Sequence, residues 1–167
     1  LFHEQVSFGY ILKVFLVMRE AKQHTFQVLT KRPERMAQFI ALHETIYGVA
    51  PNIWLGTSIE NDRYVYRADA LRDTPAAVRF ISAEPLLGPL PSLDLTGIHW
   101  LIVGGESGPT HRPMHPSWVR QLRHLACEQG TAFFFKQWGG RTPKSGGRTL
   151  DGREWSEYPE IVTAGAG

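Results

Sequence analysis

The chain has 167 residues, which is long enough for one good hydrophobic core and short for two. Its hydrophobic content of 43% is ordinary for a globular protein and argues against wholesale disorder. The net charge of +2, with acids and bases interleaved, lacks the clustered basic face that duplex nucleic acid requires.

The cysteine content and the length of the apolar runs limit the possible compartment and the possible kinds of site. One cysteine excludes an internal disulfide and any cysteine-based metal site within one chain, and it is consistent with the reducing cytoplasm in which we expect the protein. No apolar stretch reaches the roughly 20 residues of a membrane span, so no membrane partner is expected. The sequence begins at Leu1 without an initiator methionine, which predicts a fragment or a trimmed chain.

Helical patterns and apolar runs alternate along the chain. The first helix is marked by apolar residues at helical spacing from Phe8 to Met18, with Ser7 as its N-cap and an end near Lys22 or Gln23. Later helices are predicted from Pro33, after Asn61, and between Pro116 and Gly130. Residues 86–97 contain prolines and no helical period, so an irregular connection is expected there. The apolar runs begin at Phe26, Ile53, Val78, Trp100 and Ala132.

Near-continuous apolar runs of this kind are typical of buried strands in parallel sheets. The chain is therefore predicted to be an α/β protein with a mostly parallel five-stranded sheet, forming an open or partial βα barrel with helices on its outer face. Residues 1–140 are assigned to this barrel, and residues 141–167 to a C-terminal loop, cover segment and tail. Within that segment, residues 141–149 should be a mobile loop, Asp151 and Gly152 predict a hairpin turn, and the end from Thr163 should be frayed.

Each apolar run gives way to polar residues or glycines where its strand ends. Ligands bind at that end of the strands in open α/β sheets and in α/β barrels, so we expect these residues to line one pocket. In chain order they are Lys31 and Arg32, then Thr57, Ser58 and Glu60, then Glu84, then Gly104, Gly105 and Glu106, and finally Lys136.

The residue types at the strand ends permit more than one chemistry. Lys31 and Arg32 precede a helix whose N-terminus favours an anion, and Thr57, Ser58 and Glu60 suit a hydroxylated ligand such as a ribose. Acid–base catalysis needs carboxylates held close together so that one keeps a proton. Binding of an amino acid or nucleoside needs the same residue types, with a carboxylate for an ammonium and a base for a carboxylate. The sequence leaves both uses open, and with them the question of whether the protein is an enzyme.

No metal site is expected in this chain. Glu106, His111 and His115 would supply an acid and two imidazoles, but the histidines straddle Pro113 in a loop and cannot use helical spacing. Cys127 lies beside the apolar face of the last helix and is predicted to be a small core residue, not a nucleophile.

Several stretches are long and specific enough to compare with known families: QHTFQVLTKRPERM, NIWLGTSIEND, PAAVRFISAEPLLGPL, IHWLIVGGESGPTHRPMHPSWVR, FFFKQWGG and LDGREW. They resemble an uncharacterised phage-associated protein family, found in phages and bacterial genomes and grouped with radical-SAM-type partial TIM barrels. The resemblance covers the chain from Leu1 to about Pro159. It implies a C-terminal portion of such a barrel, without the first two βα units.

The resemblance implies that full-length members use S-adenosylmethionine and a four-iron four-sulfur cluster. The cysteine-rich loop that would hold the cluster is not in this sequence, and one cysteine cannot supply three thiolates. This chain is therefore expected to hold no cofactor by itself and to be inactive in reductive cleavage. Family-level roles place Thr57, Ser58, Glu60, Gly104, Gly105 and Glu106 against the nucleoside and methionine parts of the cofactor, and Glu84 and Lys136 as catalytic residues facing an undetermined substrate.

Two other functions remain open. One is a non-catalytic module that binds a nucleotide or a nucleic-acid end, and the other is a carboxylate-based hydrolase. A missing pair of strands would also leave an unpaired sheet edge at residues 26–30, through which we expect the chain to form homo-oligomers. The residues concerned are Lys31, Arg32, Arg112 and Lys136 for the binding module, and Glu84 and Glu106 for the hydrolase.

Overall fold

A computed structural model describes residues 1–142 and 145–160 of the chain. Within these residues four α-helices, α1 to α4, span Phe8–Glu20, Pro33–Tyr47, Arg67–Arg72 and Pro116–Glu128. Five strands, β1 to β5, span Phe26–Thr30, Ile53–Ser58, Arg79–Ala83, Trp100–Gly104 and Ala132–Gln137. A short 3-10 turn, Asp62–Tyr64, precedes α3, and two short strands, β6 and β7, follow at Thr149–Leu150 and Arg153–Glu154.

The five long strands form one sheet in which every neighbouring pair is parallel and the strands lie in chain order. This order differs from that of a doubly wound sheet, where the strand order reverses at a switch point. The predicted α/β class and parallel five-stranded sheet are therefore confirmed. Strands in chain order with connecting helices are consistent with part of a βα barrel.

Successive residues of each strand point to opposite faces of the sheet. On the outer face, Ile81 and Leu101 are fully buried and join the helices in the main core. On the opposite face, called the inner face below, Trp54, Phe80 and Trp100 form a second buried cluster. No described helix contributes to this second cluster. The helices therefore cover the outer face, and the inner face carries its own aromatic layer.

Local sequence signals set the boundaries of the long helices. The Tyr10 backbone N–H donates a hydrogen bond to the Ser7 hydroxyl at 3.3 Å, which confirms Ser7 as the N-cap of α1. This helix ends at Glu20, slightly before the predicted end near Lys22. Gly130, with a φ of 66°, follows α4 at the position where a left-handed residue ends a helix.

The connections after β2 and β3 are less regular than the others. The Arg63 backbone N–H donates to the Asn61 side chain at 3.1 Å, so Asn61 caps the 3-10 turn and the predicted third helix is divided into this turn and α3. Residues 86–97 contain no helix or strand, as their prolines and missing helical period predicted.

The segment after β5 folds back onto the sheet. Asp151 and Gly152, both at positive φ, form the turn between β6 and β7, which confirms the predicted hairpin. Beyond β7, the Phe135 N–H donates to the Trp155 carbonyl at 3.0 Å, and residues 155–157 run antiparallel to β5. This segment therefore covers the edge of β5 that faces away from β4.

Some predictions concern residues outside the described part of the chain. The frayed tail predicted for residues 163–167 lies there, as do Pro143 and Lys144 of the predicted loop. The division into residues 1–140 and 141–167 stays a prediction. Among the described residues, no helix combines the length and the apolar character needed to cross a bilayer.

Candidate binding site at the carboxyl edge

The C-terminal ends of β1 to β5 lie along one edge of the sheet, called the carboxyl edge below, because the strands are parallel and follow chain order. The segment after β3 ties three of these ends together. The Leu86 N–H donates to the Gly104 carbonyl at 2.9 Å, and the Leu87 N–H donates to the Glu60 carbonyl at 2.7 Å. The strand-end residues thus share one edge, although their side chains divide into three contact groups.

The first contact group joins the ends of β3 and β5. Glu84 Oε2 lies 3.0 Å from Lys136 Nζ, and this contact is called the central ion pair below. Gln137 Nε2 donates to Glu84 Oε1 at 2.8 Å. The Glu84 and Lys136 side chains remain 22% and 51% exposed, so a ligand can reach the pair. The two residues predicted to be catalytic are therefore in contact, while their catalytic role stays a prediction.

The central ion pair lies on the inner face of the sheet. Gly104 follows Trp100 and Ile102 in the strand alternation, so the hydrogen that replaces its side chain points to the inner face. A Cβ at this position would lie 3.2 Å from the Glu84 carboxyl group. The Glu84 side chain therefore crosses the inner face of β4 on its way to β5, and Gly104 leaves room for it.

Two hydroxyls and an apolar floor lie on the same face of the sheet as the central ion pair. Ser58 and Ser82 are register partners on β2 and β3 and point to the inner face. Towards the amino ends of the strands, the Phe80 ring lies across Gly56, where any side chain would overlap it. Sequence reasoning named Ser58 but missed Ser82. The period of two through Phe80, Ser82 and Glu84 is the signal that would have found it.

The second contact group surrounds Glu60 at the ends of β1 and β2. Glu60 is 5% exposed. Lys31 Nζ contacts one of its carboxylate oxygens, and an Arg67 guanidinium nitrogen lies 3.3 Å from the other. The same nitrogen of Arg67 donates to the Ser58 carbonyl at 2.9 Å. A buried carboxylate needs such partners because an unpaired buried charge is costly, and sequence reasoning did not identify Arg67 as one of them.

Two further predicted site residues flank this group. Thr57 is fully buried, and its hydroxyl donates to the Thr30 carbonyl at 3.0 Å, which ties β2 to β1. Arg32 is exposed at the N-cap position of α2, where its side chain makes no capping hydrogen bond. The anion-binding role of Lys31 and Arg32, and the cofactor-binding role of Thr57, stay predictions.

The third contact group is the pair of Glu106 and Arg112. The guanidinium donates to both carboxylate oxygens, at 2.6 and 2.8 Å, and the Arg112 backbone N–H adds a bond at 2.8 Å. These bonds lower the pKa of Glu106 from 4.5 to about 2 and raise the pKa of Arg112. Glu106 is therefore ionised at neutral pH and does not supply the proton that a two-carboxylate hydrolase requires.

The glycines after β4 accommodate another part of the backbone. A Cβ on Gly105 would overlap the Trp138 carbonyl, and one on Gly139 would overlap the backbone of Glu106. The Gly105 N–H donates to the Gln137 carbonyl at 2.8 Å, so the two glycine-containing segments run side by side. The group that lies close to Gly105 is thus the backbone of Trp138. A ligand-binding role for Gly104 and Gly105 stays a prediction.

Comparison with known proteins places the chain in a family of undescribed activity. Residues 1–159 match the family model described as "Protein of unknown function (DUF5131)". The chain belongs to the DUF5131 family. A search of curated proteins and a search of solved structures found no match.

The histidines of this DUF5131 chain near Glu106 have structural partners. His115 Nδ1 accepts a bond from the Ser117 backbone N–H at 3.3 Å and caps α4, while His111 Nδ1 lies 2.9 Å from the Gly108 carbonyl. Over residues 1–142 and 145–160, no three histidine, cysteine or acidic side chains converge as metal ligands.

Cys127 differs from its prediction. It is exposed, so the assignment to the core was wrong, and the neighbouring Ala126 occupies the fully buried position of α4 instead. Cys127 lines a surface cavity with His99 and Thr131, which directly precede β4 and β5. The one thiol of this DUF5131 chain therefore lies at the amino ends of the strands, opposite the carboxyl edge.

Proposed function

We propose that this DUF5131 protein binds S-adenosylmethionine at the carboxyl edge, on the inner face of a partial βα barrel. The observation that carries the proposal is the exposed central ion pair, with Glu84 and Lys136 3.0 Å apart at the end of the strands where barrels bind ligands. A carboxylate beside an ammonium complements the two charges of an amino acid. The amino-acid derivative is proposed to be S-adenosylmethionine because the sequence stretches quoted above resemble a family grouped with radical-SAM-type barrels.

The surroundings of the central ion pair also suit a nucleoside. Ser58 and Ser82 place hydroxyls of the kind that bond a ribose on the inner face, where the two residues are 5% and 4% exposed. Ile102 and Phe134 are only partly buried and extend the apolar floor of the inner face beside Phe80. An apolar floor with a few convergent polar groups is the usual composition of a small-molecule site.

The residues of this chain do not fit a four-iron four-sulfur cluster. Such a cluster takes three or four thiolates, and the sequence supplies one cysteine, which lies at the amino ends of the strands. We therefore assign binding of the nucleoside and amino-acid parts to these residues, and no redox step.

Nucleic-acid binding has weaker support from the same geometry. Three of the four cations considered for it already contact carboxylates: Lys31 contacts Glu60, Arg112 contacts Glu106, and Lys136 contacts Glu84. Phosphate binding draws on a surface with net positive charge, whereas the charge of each of these three cations is offset by a neighbouring carboxylate.

Calorimetric titration of the chain with S-adenosylmethionine tests the proposal. Glu84→Gln should weaken binding about tenfold or more, the effect of losing a charge-assisted hydrogen bond. Glu20→Gln is the matched control, because Glu20 is exposed at the end of α1 on the helix-covered side. Binding that is undetectable in the wild type, or unchanged in E84Q, would contradict the proposal.

A parallel titration with short single-stranded DNA distinguishes the proposed function from the hypothesis of a nucleic-acid binding module. Binding of DNA alone, with an affinity that falls steeply as salt rises, would replace the proposed function with nucleic-acid recognition. Binding of S-adenosylmethionine with little dependence on salt would support the proposal.

A further inference from the structure

We infer that the site recognises the zwitterionic end of its ligand by exchanging partners within the central ion pair. In the bound state, Glu84 takes the ammonium of the ligand and Lys136 takes its carboxylate. The inference rests on the proposed function and adds to it an orientation and a ligand class: α-amino acids and their derivatives.

One carboxylate oxygen of Glu84 has a fixed hydrogen-bond partner, and the other does not. Gln137 Nε2 donates to Oε1 at 2.8 Å and also lies 3.2 Å from the Gly105 carbonyl, so the amide is fixed between two acceptors. Oε2 faces Lys136 at 3.0 Å. An incoming ammonium can replace the lysine at Oε2 while Gln137 keeps the carboxylate in place.

A β-bulge brings both partners to the same carboxylate. Val103 pairs with Phe135, but Gly104 pairs with Gln137, so the β4–β5 register skips Lys136. In a regular strand the side chains at positions 136 and 137 would point to opposite faces. The irregularity allows two consecutive side chains to reach Glu84, which is the kind of re-aiming that bulges provide beside functional sites.

The other two strand-end carboxylates are poorly placed for this exchange. Glu60 is 5% exposed and has Arg67 beside it in the interior. Glu106 accepts three hydrogen bonds from Arg112, including a two-pronged contact with its guanidinium. Lys136, by contrast, is a flexible side chain that is 51% exposed, so it can leave Glu84 when a ligand offers each of the two a new partner.

Charge balance favours a zwitterion over other ligands. The central ion pair is neutral as a unit, so a ligand that brings one ammonium and one carboxylate leaves each of these four charges with a partner. A ligand with an ammonium alone would leave Lys136 unpaired, and a ligand with a carboxylate alone would leave Glu84 unpaired. Unpaired charges in a partly buried site oppose binding.

A pair of nucleoside probes tests the inference. S-adenosylhomocysteine carries the amino-acid end, and 5′-methylthioadenosine carries the same thioether nucleoside without it. The wild type should bind S-adenosylhomocysteine about tenfold or more tightly than 5′-methylthioadenosine, since two charge-assisted contacts are at stake. Lys136→Met should remove most of this preference and leave binding of 5′-methylthioadenosine unchanged. Lys13→Met, at an exposed lysine on α1, is the matched control and should keep the preference.

A second variant separates positioning from loss of charge. Gln137→Leu keeps both charges but frees Glu84 Oε1, so it should reduce the preference for S-adenosylhomocysteine less than K136M does, again without affecting 5′-methylthioadenosine. Equal affinity of the wild type for the two probes would overturn the inference. So would a K136M variant that weakens both probes by the same factor.

A ligand without a nucleoside distinguishes failure of the inference from failure of the proposed function. Chemical-shift changes at Lys136 on addition of L-methionine, absent with 3-(methylthio)propylamine and with 4-(methylthio)butanoate, would support recognition of a zwitterion even if neither nucleoside bound. The proposed function alone would then fail. No change at Lys136 with L-methionine, together with no binding of either nucleoside, would overturn both.

Discussion

The two edge strands of the five-stranded sheet differ in whether another segment of the chain pairs with them. At β5, the Phe135 N–H donates to the Trp155 carbonyl at 3.0 Å and the Glu157 N–H donates to the Phe133 carbonyl at 3.1 Å, so the edge is covered by an added segment. At β1, pairing within the described residues is with β2 alone. An uncovered strand presents free N–H and C=O groups to any chain that can pair with them.

Exposure of apolar side chains follows the same division. Apart from Tyr66 and Tyr158, the exposed large apolar side chains of the described residues all lie within residues 1–49. Val17 on α1 is 68% exposed, and Leu29 on β1 is 44% exposed. The β5 side thus exposes few large apolar side chains, whereas most of those on the described surface belong to β1 and the segments next to it in the chain.

The largest expected effect concerns the buried carboxylate of Glu60, which lies on the β1 side of the sheet. Glu60→Gln leaves Arg67, which is 9% exposed, without its carboxylate. Removing one partner of a buried ion pair costs about 3–5 kcal/mol, so urea unfolding should show a fall of about 3 kcal/mol in the free energy of unfolding. The double variant E60Q/R67M should recover part of this loss. An unchanged unfolding midpoint in E60Q would mean that the pair does not hold β1 and β2 together.

Trp155→Ala should open the covered edge. The indole packs edge-on against Phe133 and lies beneath the guanidinium groups of Arg123 and Arg153. Its removal should lower the free energy of unfolding by about 2 kcal/mol, less than the loss at a core position because the ring is only partly buried. Hydrogen exchange at the Phe135 amide, which donates to the Trp155 carbonyl, should accelerate more than exchange in β1. Trp155→Phe keeps an aromatic ring and should lose less, and equal acceleration in both edge strands would refute a local role.

Gln27→Pro tests the open edge with little expected loss of stability. The Phe26 N–H donates to the Asn52 carbonyl, so alternation turns the Gln27 N–H away from β2. Proline there removes a donor of the free edge and leaves the β1–β2 ladder intact, with a change in stability below about 1 kcal/mol. We propose that the wild type self-associates through β1, and light scattering should then show assembly that rises with concentration and is lost in Q27P. A wild type that stays monomeric at high concentration would refute this proposal.

The sequence was most informative where a side chain's role depends on its own neighbours in the chain. Apolar runs located all five long strands, and Ser7 and Gly130 marked two helix boundaries, because caps and strand burial are set within a few residues. Cys127 was misplaced because it borders the apolar stripe of α4, where a small rotation of the helix decides between core and surface.

Contacts between distant segments were less accessible to sequence reasoning. The strand-end carboxylates were recognised, but the partnership of Glu60 with Arg67 depends on how a 3-10 turn and a short helix return to the sheet. Gln137 was not assigned to the site, and regular alternation would turn it away from Lys136, whereas the β-bulge brings both side chains to Glu84. No pattern in the sequence announces this bulge.

A further small effect on stability is expected from pH on the covered side. His99 Nδ1 accepts a hydrogen bond from the Arg79 backbone N–H at 2.9 Å, at the amino ends of β3 and β4. Burial, and secondarily the charge of Arg79, lower the pKa of His99 below its usual 6.5. The folded state therefore binds fewer protons than the unfolded state. The stabilising contribution is fully present above pH 6.5 and is lost as the pH falls below it.

His99→Asn is the matched variant for this effect, because the asparagine Oδ1 accepts a hydrogen bond as Nδ1 does and does not titrate. Between about pH 7.5 and about pH 5, the wild type should lose about 1 kcal/mol of unfolding free energy, the net worth of one hydrogen bond, and H99N should lose less. Hydrogen exchange should speed up at the Arg79 amide and not at Phe26 in β1, since Phe26 bonds to the Asn52 carbonyl and to no titrating group. An equal pH dependence in the wild type and in H99N would mean that groups other than His99 cause the effect. The two edges of the sheet would then differ only in that β5 is covered and β1 is not.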